Sequence, residues 1–256
     1  MTPDSQKKAR TALVTGGANG MGLAIANRLL DDGCTVVVVD ASPSVHTAFP
    51  AELLASGRLR PLQLDLMDDE AVIGAAAELV AEFGSVDILV NNAGINPKKD
   101  GGKYLVEEIS RELWDAVVQV NLRAPFLLVR ELLPPMKSAG WGRIVNIASA
   151  GALGHTLNSA ASYVVSKSGL IGLTRTVAEE AARFGVTANC VAPGPVETAL
   201  TAQSSAETIA KTVAMIPVGR YGQPTDIAAM VSFLSSDEAS FITGTVMSVD
   251  GGVVMR

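Results

Sequence analysis

The chain has 256 residues, of which 48% are hydrophobic, 18% charged and 4% aromatic, and its formal net charge is −6. This length and apolar fraction are sufficient for the core of a single α/β domain. The acidic balance and the few aromatic residues argue against nucleic acid as a partner, because nucleic-acid binding needs clustered cations and stacking rings. No apolar run approaches the roughly 18 residues that span a bilayer, so we expect no membrane partner.

The few reactive side chains narrow the class further. Cys34 and Cys190 lie in apolar runs, which favours buried thiols and fits a reducing cytoplasm. The chain has only two histidines, so we expect no zinc site and no other metal. Residues 1–10 contain basic residues with no apolar segment after them, which is typical of a solvated lead-in.

Strand-like and helical segments alternate along the chain. The strand-like runs are apolar on both faces, which is typical of parallel strands covered by helices on both sides. We therefore predict an α/β, doubly wound Rossmann-type fold in which residues 1–256 form one domain. The predicted strands are residues 11–16, 35–40, 59–65, 86–92, 142–149, 186–194 and 245–252. The predicted helices are residues 21–33, 68–84, 111–133, 161–185 and 224–236.

A glycine-rich turn links the first strand to the first helix. Gly16, Gly20 and Gly22 follow the pattern G-x-x-x-G-x-G. Gly16 would permit a sharp turn, Gly20 would let the backbone approach a pyrophosphate, and Gly22 would pack the helix against the strand. Asn19 tolerates a left-handed turn conformation. The helix N-terminus would supply free N–H groups to the phosphates.

Acidic residues end the next two strands. Asp40 stands about 20 residues beyond the turn, where a carboxylate binds the ribose hydroxyls of a dinucleotide. A carboxylate there repels a 2′-phosphate, and the sequence has no adjacent Arg or Lys, so the pattern favours NAD over NADP. Asp65 and Leu66 could contact the adenine.

Pro125 interrupts a long helical period. It cannot donate a backbone N–H to the carbonyl of Asn121, four residues earlier. The pattern predicts a kinked helix with a free carbonyl beside the Asn121 side chain.

Tyr163 and Lys167 lie four residues apart on one face of a predicted helix. A tyrosine becomes a base near neutral pH when its pKa falls from about 10, and a neighbouring ammonium favours that fall. Ser149, at the end of a strand, is placed to donate a hydrogen bond to a substrate oxygen.

Together these residues resemble the short-chain dehydrogenase/reductase family over about residues 10–252. The matching segments are the turn from Thr15 to Gly22, the stretch Asn91-Asn92-Ala93-Gly94, the tetrad Asn121, Ser149, Tyr163 and Lys167, and Pro193-Gly194 with Thr198.

The resemblance implies a three-layer fold with a seven-stranded sheet, and hydride transfer between a nicotinamide cofactor and a secondary alcohol or ketone. Ser149 and Tyr163 would bind the alcohol oxygen, and Lys167 would lower the pKa of Tyr163 and hold the nicotinamide ribose. It also implies a homotetramer or homodimer built through the helices at residues 111–133 and 161–184. The predicted contacts with the cofactor are Thr15, Gly16, Asn19, Gly20, Met21, Gly22, Asp40, Asp65, Leu66, Asn92, Ala93, Gly94, Tyr163, Lys167, Pro193, Gly194, Val196 and Thr198.

In the family, the backbone carbonyl of the tetrad asparagine holds a water that links to the lysine. We therefore hypothesise that Pro125 leaves the Asn121 carbonyl free to serve this water, and that protons leave Tyr163 through Lys167 and Asn121.

Two segments would shape the substrate pocket. They are the loop at 95–110, which is longer than most family members carry, and residues 195–222, which close over the substrate in the family. His155 and Asn96 are candidate substrate contacts beside Ser149 and Tyr163. A small or medium polar alcohol is the substrate class we expect.

Two other functions stay open. One is an NADPH-dependent 3-oxoacyl carrier-protein reductase, against which Asp40 argues. The other is a non-catalytic nucleotide-binding sensor or scaffold, against which the complete tetrad argues.

Overall fold

A computed structural model describes residues 9–99, 102–154, 159–197 and 206–255. Its centre is one sheet of seven parallel strands, as predicted, and the structure gives their order as β3-β2-β1-β4-β5-β6-β7. The strands are β1 (Thr11–Thr15), β2 (Thr35–Asp40), β3 (Leu59–Gln63), β4 (Ile88–Asn91), β5 (Gly142–Ile147), β6 (Val186–Pro193) and β7 (Val246–Val249).

The structure confirms most of the predicted helices, and capping side chains and glycines determine where they begin and end. Asp68 caps one helix by accepting the Ala71 N–H, and Gly84 ends the same helix with φ +81°. A short helix after β2 was not predicted, because its five residues are too few to show a period. The helices are α1 (Gly20–Asp31), α2 (Ala51–Ala55), α3 (Asp69–Phe83), α4 (Arg111–Val118), α5 (Ala124–Ala139), α6 (Ala161–Ala181), α7 (Ala206–Ala214) and α8 (Pro224–Leu234).

Two apolar clusters lie on opposite faces of the sheet. One packs α1 and α8 against the strands, with Ile25 and Val231 fully buried. The other packs α3, α5 and α6 against the opposite face. The free thiols of Cys34 and Cys190 are buried in this interior. Within the described ranges, no helix combines the length and apolarity that crossing a membrane requires.

The interrupted helix differs from the prediction for residues 111–133. It divides into α4, a π-helical turn at Gln119–Arg123, and α5, which continues to Ala139. In the π turn, the Ala124 N–H bonds to the Gln119 carbonyl five residues back. Pro125 therefore stands in the first turn of α5, where a missing N–H costs little, rather than in a helix interior.

A row of buried polar side chains crosses the centre of the sheet. Asn91, Asn146 and Cys190 lie side by side in the register of β4, β5 and β6. Asn91 Nδ2 donates to Asn146 Oδ1 at 2.8 Å, and Asn146 Nδ2 donates to the hydroxyl of Thr174 at 2.8 Å. Because that hydroxyl gives its proton to the Leu170 carbonyl, the Cys190 thiol at 3.0 Å is the donor of their contact.

We predict that Thr174→Val destabilises the fold by about 1–3 kcal/mol, because it leaves a buried amide N–H of Asn146 without its acceptor. Urea unfolding monitored by circular dichroism measures the loss. Thr176→Val is the matched control, since Thr176 lies on the same helix with an exposed hydroxyl. Equal losses in the two variants would contradict the role of the buried row.

Candidate active site

The turn after β1 has the backbone that its glycines were expected to provide. Gly16 and Gly20 have φ values of +65° and +52°. A Cβ on Gly22 would lie 2.0 Å from the Gly16 carbonyl oxygen, so only glycine permits this approach of α1 to the strand end. The expected left-handed conformation of Asn19 is wrong, because Asn19 is extended at φ −156° and the glycines take the positive φ values instead.

The ends of β1 and β4 are joined beside this turn. The Thr15 hydroxyl accepts the N–H groups of Asn92 and Ala93, both at 3.1 Å. In return, Asn92 Nδ2 donates to the carbonyls of Thr15 and Gly16 at 2.9 and 3.0 Å. These bonds hold two neighbouring strand ends as one wall.

A cleft of about 450 Å³ opens between this wall and the ends of β2 and β3. The position of a Cβ on Gly20 meets no atom within 4 Å, so the backbone there is open to a ligand. This cradle at the start of α1 suits a pyrophosphate, because helix N–H groups and the helix dipole attract anions. The cleft is lined by Gly16, Asn19, Gly20, Met21, Gly22, Val39, Asp40, Ala41, Asp65, Leu66, Met67, Asn92, Ala93, Gly94, Ile95 and Val120.

Asp40 is held in place at the edge of the cleft. Its two carboxylate oxygens accept the N–H groups of Ala18 and Ser42, at 3.1 and 3.0 Å. Neither lysine nor arginine is among the described residues that line the cleft. Asp65 lies at the far end, where one of its oxygens accepts the Met67 N–H.

A second group of polar side chains lies beyond Gly94. Ser149 follows β5 and accepts the Gly151 N–H, which fixes its hydroxyl at the start of a short 3₁₀ turn. Tyr163 and Lys167 lie on α6, and the Ser149 side chain is near enough to Tyr163 to act against the rise in its pKa. Lys167 is buried, and its Nζ donates to the Ile147 carbonyl at 2.7 Å.

The ionisation of these groups differs from the expectation. Burial raises the pKa of Tyr163, and the Ser149 side chain only partly offsets this. The Lys167 Nζ is bonded to the Ile147 carbonyl and lies 5.9 Å from the centre of the Tyr163 ring, and its effect on the pKa of Tyr163 stays a prediction. Burial in turn lowers the pKa of Lys167 to about 8.

Asn121 lies in the π turn with its side chain fully buried. Its Oδ1 accepts the Ile95 N–H at 2.8 Å, and its Nδ2 donates to the Ile95 carbonyl at 3.0 Å. A Cβ on Gly94 would lie 3.1 Å from Lys167 Nζ and 3.3 Å from Asn121 Oδ1. Gly94 thus borders both the cleft and the Lys167 group, which places the two parts of the site side by side.

Of the remaining predicted site residues, some are described by the structure and others lie outside the described residues. Pro193, Gly194 and Val196 lie at the carboxyl end of β6, and Val196 is buried. Asn96 follows Ile95, and its buried Oδ1 has no hydrogen-bond partner among the described residues. His155 and Thr198 lie outside the described residues. In the described part of the chain, no cluster of three or more His, Cys, Asp or Glu could hold a metal ion.

Sequence reasoning missed two groups that the structure places in the site. Ser166 contacts Asn121, and Gln119 Nε2 bonds to the Leu66 carbonyl and to Asp69 at 3.2 and 2.7 Å. The helical spacing of Ser166 from Tyr163 was the only signal for the first group. No local pattern shows the second, because it depends on the π turn.

Comparison with known proteins agrees with this geometry. Residues 16–254 match the family model described as enoyl-(acyl carrier protein) reductase. The chain is 38% identical over 252 residues to the 3-oxoacyl-[acyl-carrier-protein] reductase FabG of Staphylococcus aureus, covering 97% of this chain and 100% of the relative. The chain belongs to the short-chain dehydrogenase/reductase family, a family of oxidoreductases.

Two solved structures share the fold, each with a TM-score of 0.87. One, from Beutenbergia cavernae, is assigned as an NAD(P)-dependent gluconate 5-dehydrogenase with NADP bound at low occupancy. It is 39% identical and covers 95% of this chain and 96% of its own. The other is a 3-oxoacyl-[acyl-carrier protein] reductase with bound NAD from Brucella melitensis. It is 34% identical and covers 98% of this chain and 93% of its own.

We predict that Gly94→Ala lowers oxidoreductase turnover about tenfold or more while the chain still folds, because the added Cβ displaces Lys167 and Asn121. Steady-state turnover and thermal unfolding measure the two effects. Gly74→Ala on α3 is the control, since a Cβ there meets nothing within 4 Å. Unchanged turnover in Gly94→Ala would show that the close packing does not matter.

The lowered pKa of Lys167 predicts a change of stability with pH. Below about pH 8 the lysine is charged in both the folded and unfolded states, and its burial penalty is fully present. Between pH 8 and 10.5 only the unfolded state keeps the proton, so folded stability gains about 1.4 kcal/mol per pH unit from this group.

The free energy of unfolding of the parent, minus that of Lys167→Met, is therefore expected to rise across this interval. Denaturant titrations at several pH values test it, with Lys211→Met, an exposed lysine paired with Glu207, as the control. A flat difference for Lys167→Met would refute the depressed pKa.

Proposed function

We propose that the protein interconverts a carbonyl and a secondary alcohol by hydride transfer with NAD(H). The observation that carries this proposal is the position of Gly94, which lines the dinucleotide-sized cleft and packs against Lys167. A bound nicotinamide at this junction would lie beside the Ser149–Tyr163 pair. When bound, the dinucleotide supplies or accepts the hydride.

The residues of the chain then handle the proton and the oxygen. In carbonyl reduction, Ser149 and Tyr163 hydrogen-bond to the carbonyl oxygen, and the Tyr163 phenol gives its proton to that oxygen as the hydride reaches the carbon. The raised pKa of Tyr163 keeps the phenol protonated at neutral pH, so the group is ready as an acid.

Lys167 has two functions in this scheme. Its ammonium is fixed by the Ile147 carbonyl and has further N–H groups for the ribose of the cofactor. With a pKa of about 8 it can also return a proton to Tyr163. We propose that water at the Asn121 carbonyl completes the route to solvent, since Pro125 provides no N–H to that carbonyl.

NAD(H) is the proposed cofactor because of Asp40. Its carboxylate is fixed at the edge of the cleft by two backbone N–H groups, and no cation among the described lining residues stands ready for a 2′-phosphate. The name of the substrate does not decide this point, because the Brucella reductase holds NAD and the Beutenbergia protein holds NADP.

For the substrate we propose a 3-oxoacyl thioester. The sequence alone favoured a simple secondary alcohol over a 3-oxoacyl thioester. However, full-length relatives at 38–39% identity are named 3-oxoacyl-[acyl-carrier-protein] reductases. The Beutenbergia structure favours a second candidate, oxidation of a sugar acid at a secondary alcohol.

The test measures reduction of acetoacetyl-CoA and oxidation of gluconate with each cofactor. We expect NADH to exceed NADPH about tenfold or more in kcat/KM, because like charges brought together cost several kcal/mol. Asp40→Asn should narrow that preference, whereas Asp31→Asn at the exposed end of α1 should not. Gluconate turnover without acetoacetyl-CoA turnover would select the second candidate.

Tyr163→Phe separates an enzyme from a sensor or scaffold. We expect this variant to keep dinucleotide binding, measured by fluorescence titration, and to lose turnover. Full turnover in this variant, or no affinity of the parent for either dinucleotide, would refute the proposal. Binding by the parent without turnover on any alcohol or ketone would favour the sensor.

A further inference from the structure

Ser166 is a buried hydroxyl between the two reactive residues of α6. It has no solvent exposure, and its Oγ donates to the Tyr163 carbonyl at 2.8 Å. The same oxygen accepts a hydrogen bond from Asn121 Nδ2 at 3.1 Å. The single hydroxyl proton of Ser166 is therefore used by the backbone carbonyl of Tyr163, and toward Asn121 the hydroxyl oxygen can only accept.

The Asn121 side chain is fixed from both ends. Both protons of its Nδ2 are used, one on the Ile95 carbonyl and one on Ser166, while its Oδ1 accepts the Ile95 N–H. A flipped amide would place oxygen against the Ile95 carbonyl and nitrogen against the Ile95 N–H. The orientation of Asn121 is thus determined by its neighbours, and no donor remains for a substrate.

These bonds form one connection across three elements. It starts at Ile95, beside the cleft wall, passes through Asn121 in the π turn, and reaches Tyr163 on α6 through Ser166. All of its side-chain atoms are buried, where hydrogen bonds are strong and unsatisfied polar groups are costly.

We propose that Ser166 is a positioning residue. Through Asn121, it holds Tyr163 in a fixed position relative to the wall formed by the ends of β1 and β4. This inference rests on the proposed hydride-transfer activity. Loss of the hydroxyl leaves an Asn121 N–H unsatisfied beside Gly94, where a Cβ would already lie 3.3 Å from Asn121 Oδ1. The glycine turn and Asp40 make no contact with this connection, so it governs turnover rather than cofactor affinity.

The first experiment compares Ser166→Ala with Ser168→Ala, an exposed serine on the same helix. We expect Ser166→Ala to lower kcat about tenfold or more, with the NADH dissociation constant within about twofold of the parent. Ser168→Ala should match the parent in both. Equal kcat in the two variants, or a loss of NADH affinity that accounts for the whole effect, would overturn the proposal.

A double-mutant cycle with Asn121→Ala tests the route of the effect. If Ser166 acts through Asn121, then Ser166→Ala should lower kcat little or not at all in the Asn121→Ala background. The same fold-loss in both backgrounds would show that Ser166 does not act through Asn121. If Ser166→Ala fails to fold, the nearly isosteric Ser166→Cys decides the question, and kcat equal to the parent would count against the proposal.

Failure of this inference is distinguishable from failure of the proposed function. A parent enzyme without turnover on any carbonyl or alcohol refutes the function. A parent with turnover that is insensitive to Ser166→Ala refutes only the positioning role.

Discussion

The bond between the Lys167 ammonium and the Ile147 carbonyl is the interaction on which the site depends. Placing a cation in the interior is costly, and the depressed pKa of Lys167 reports that cost. A strand end offsets part of this cost, because Ile147 is the last residue of β5 and its carbonyl accepts the hydrogen bond from the Lys167 ammonium. Ser149 follows two residues later, so the end of β5 positions both the Ser149 hydroxyl and the Lys167 ammonium.

Parallel pairing extends this arrangement to the cofactor side. The carboxyl ends of β1, β4 and β5 lie at the same edge because the strands run in one direction. Thr15 and Asn92 join the ends of β1 and β4, and Gly94 leaves room for Lys167 of α6, whose ammonium is bonded at the end of β5. The residues proposed for nucleotide binding and for proton transfer, which are far apart in sequence, therefore lie along one edge of the sheet.

Most of the fold could be predicted from the sequence, because strands that are apolar on both faces have few other arrangements. Six of the seven strands were predicted one or more residues too long, since a polar strand end such as Asp65 and the turn after it carry no clear boundary signal, whereas the bounds of β2 were predicted as observed. The glycine turn and Asp40 were found from spacing alone. The π turn, the raised pKa of Tyr163 and the role of Ser166 were not, because each depends on contacts between distant segments.

The cofactor preference and the substrate depend on different parts of this scaffold. Asp40 lines the cleft, whereas Ser149 and Tyr163 are not among the described residues that line it, so a change at residue 40 would not directly alter the Tyr163 group. The Brucella and Beutenbergia structures show the same fold holding either nucleotide. Family membership therefore indicates oxidoreductase chemistry, and it does not by itself select between NAD and NADP.

The π turn has a consequence for how this chain can vary. A turn that closes five residues back holds one residue more than an α-helical turn needs. Deleting one residue between 119 and 123 would remove the extra residue, but a regular helix through this segment would place Pro125 in a helix interior, where its missing N–H is costly. The π turn thus suits both the placement of Asn121 and the position of Pro125, so the length of this segment matters to folding as well as to the site.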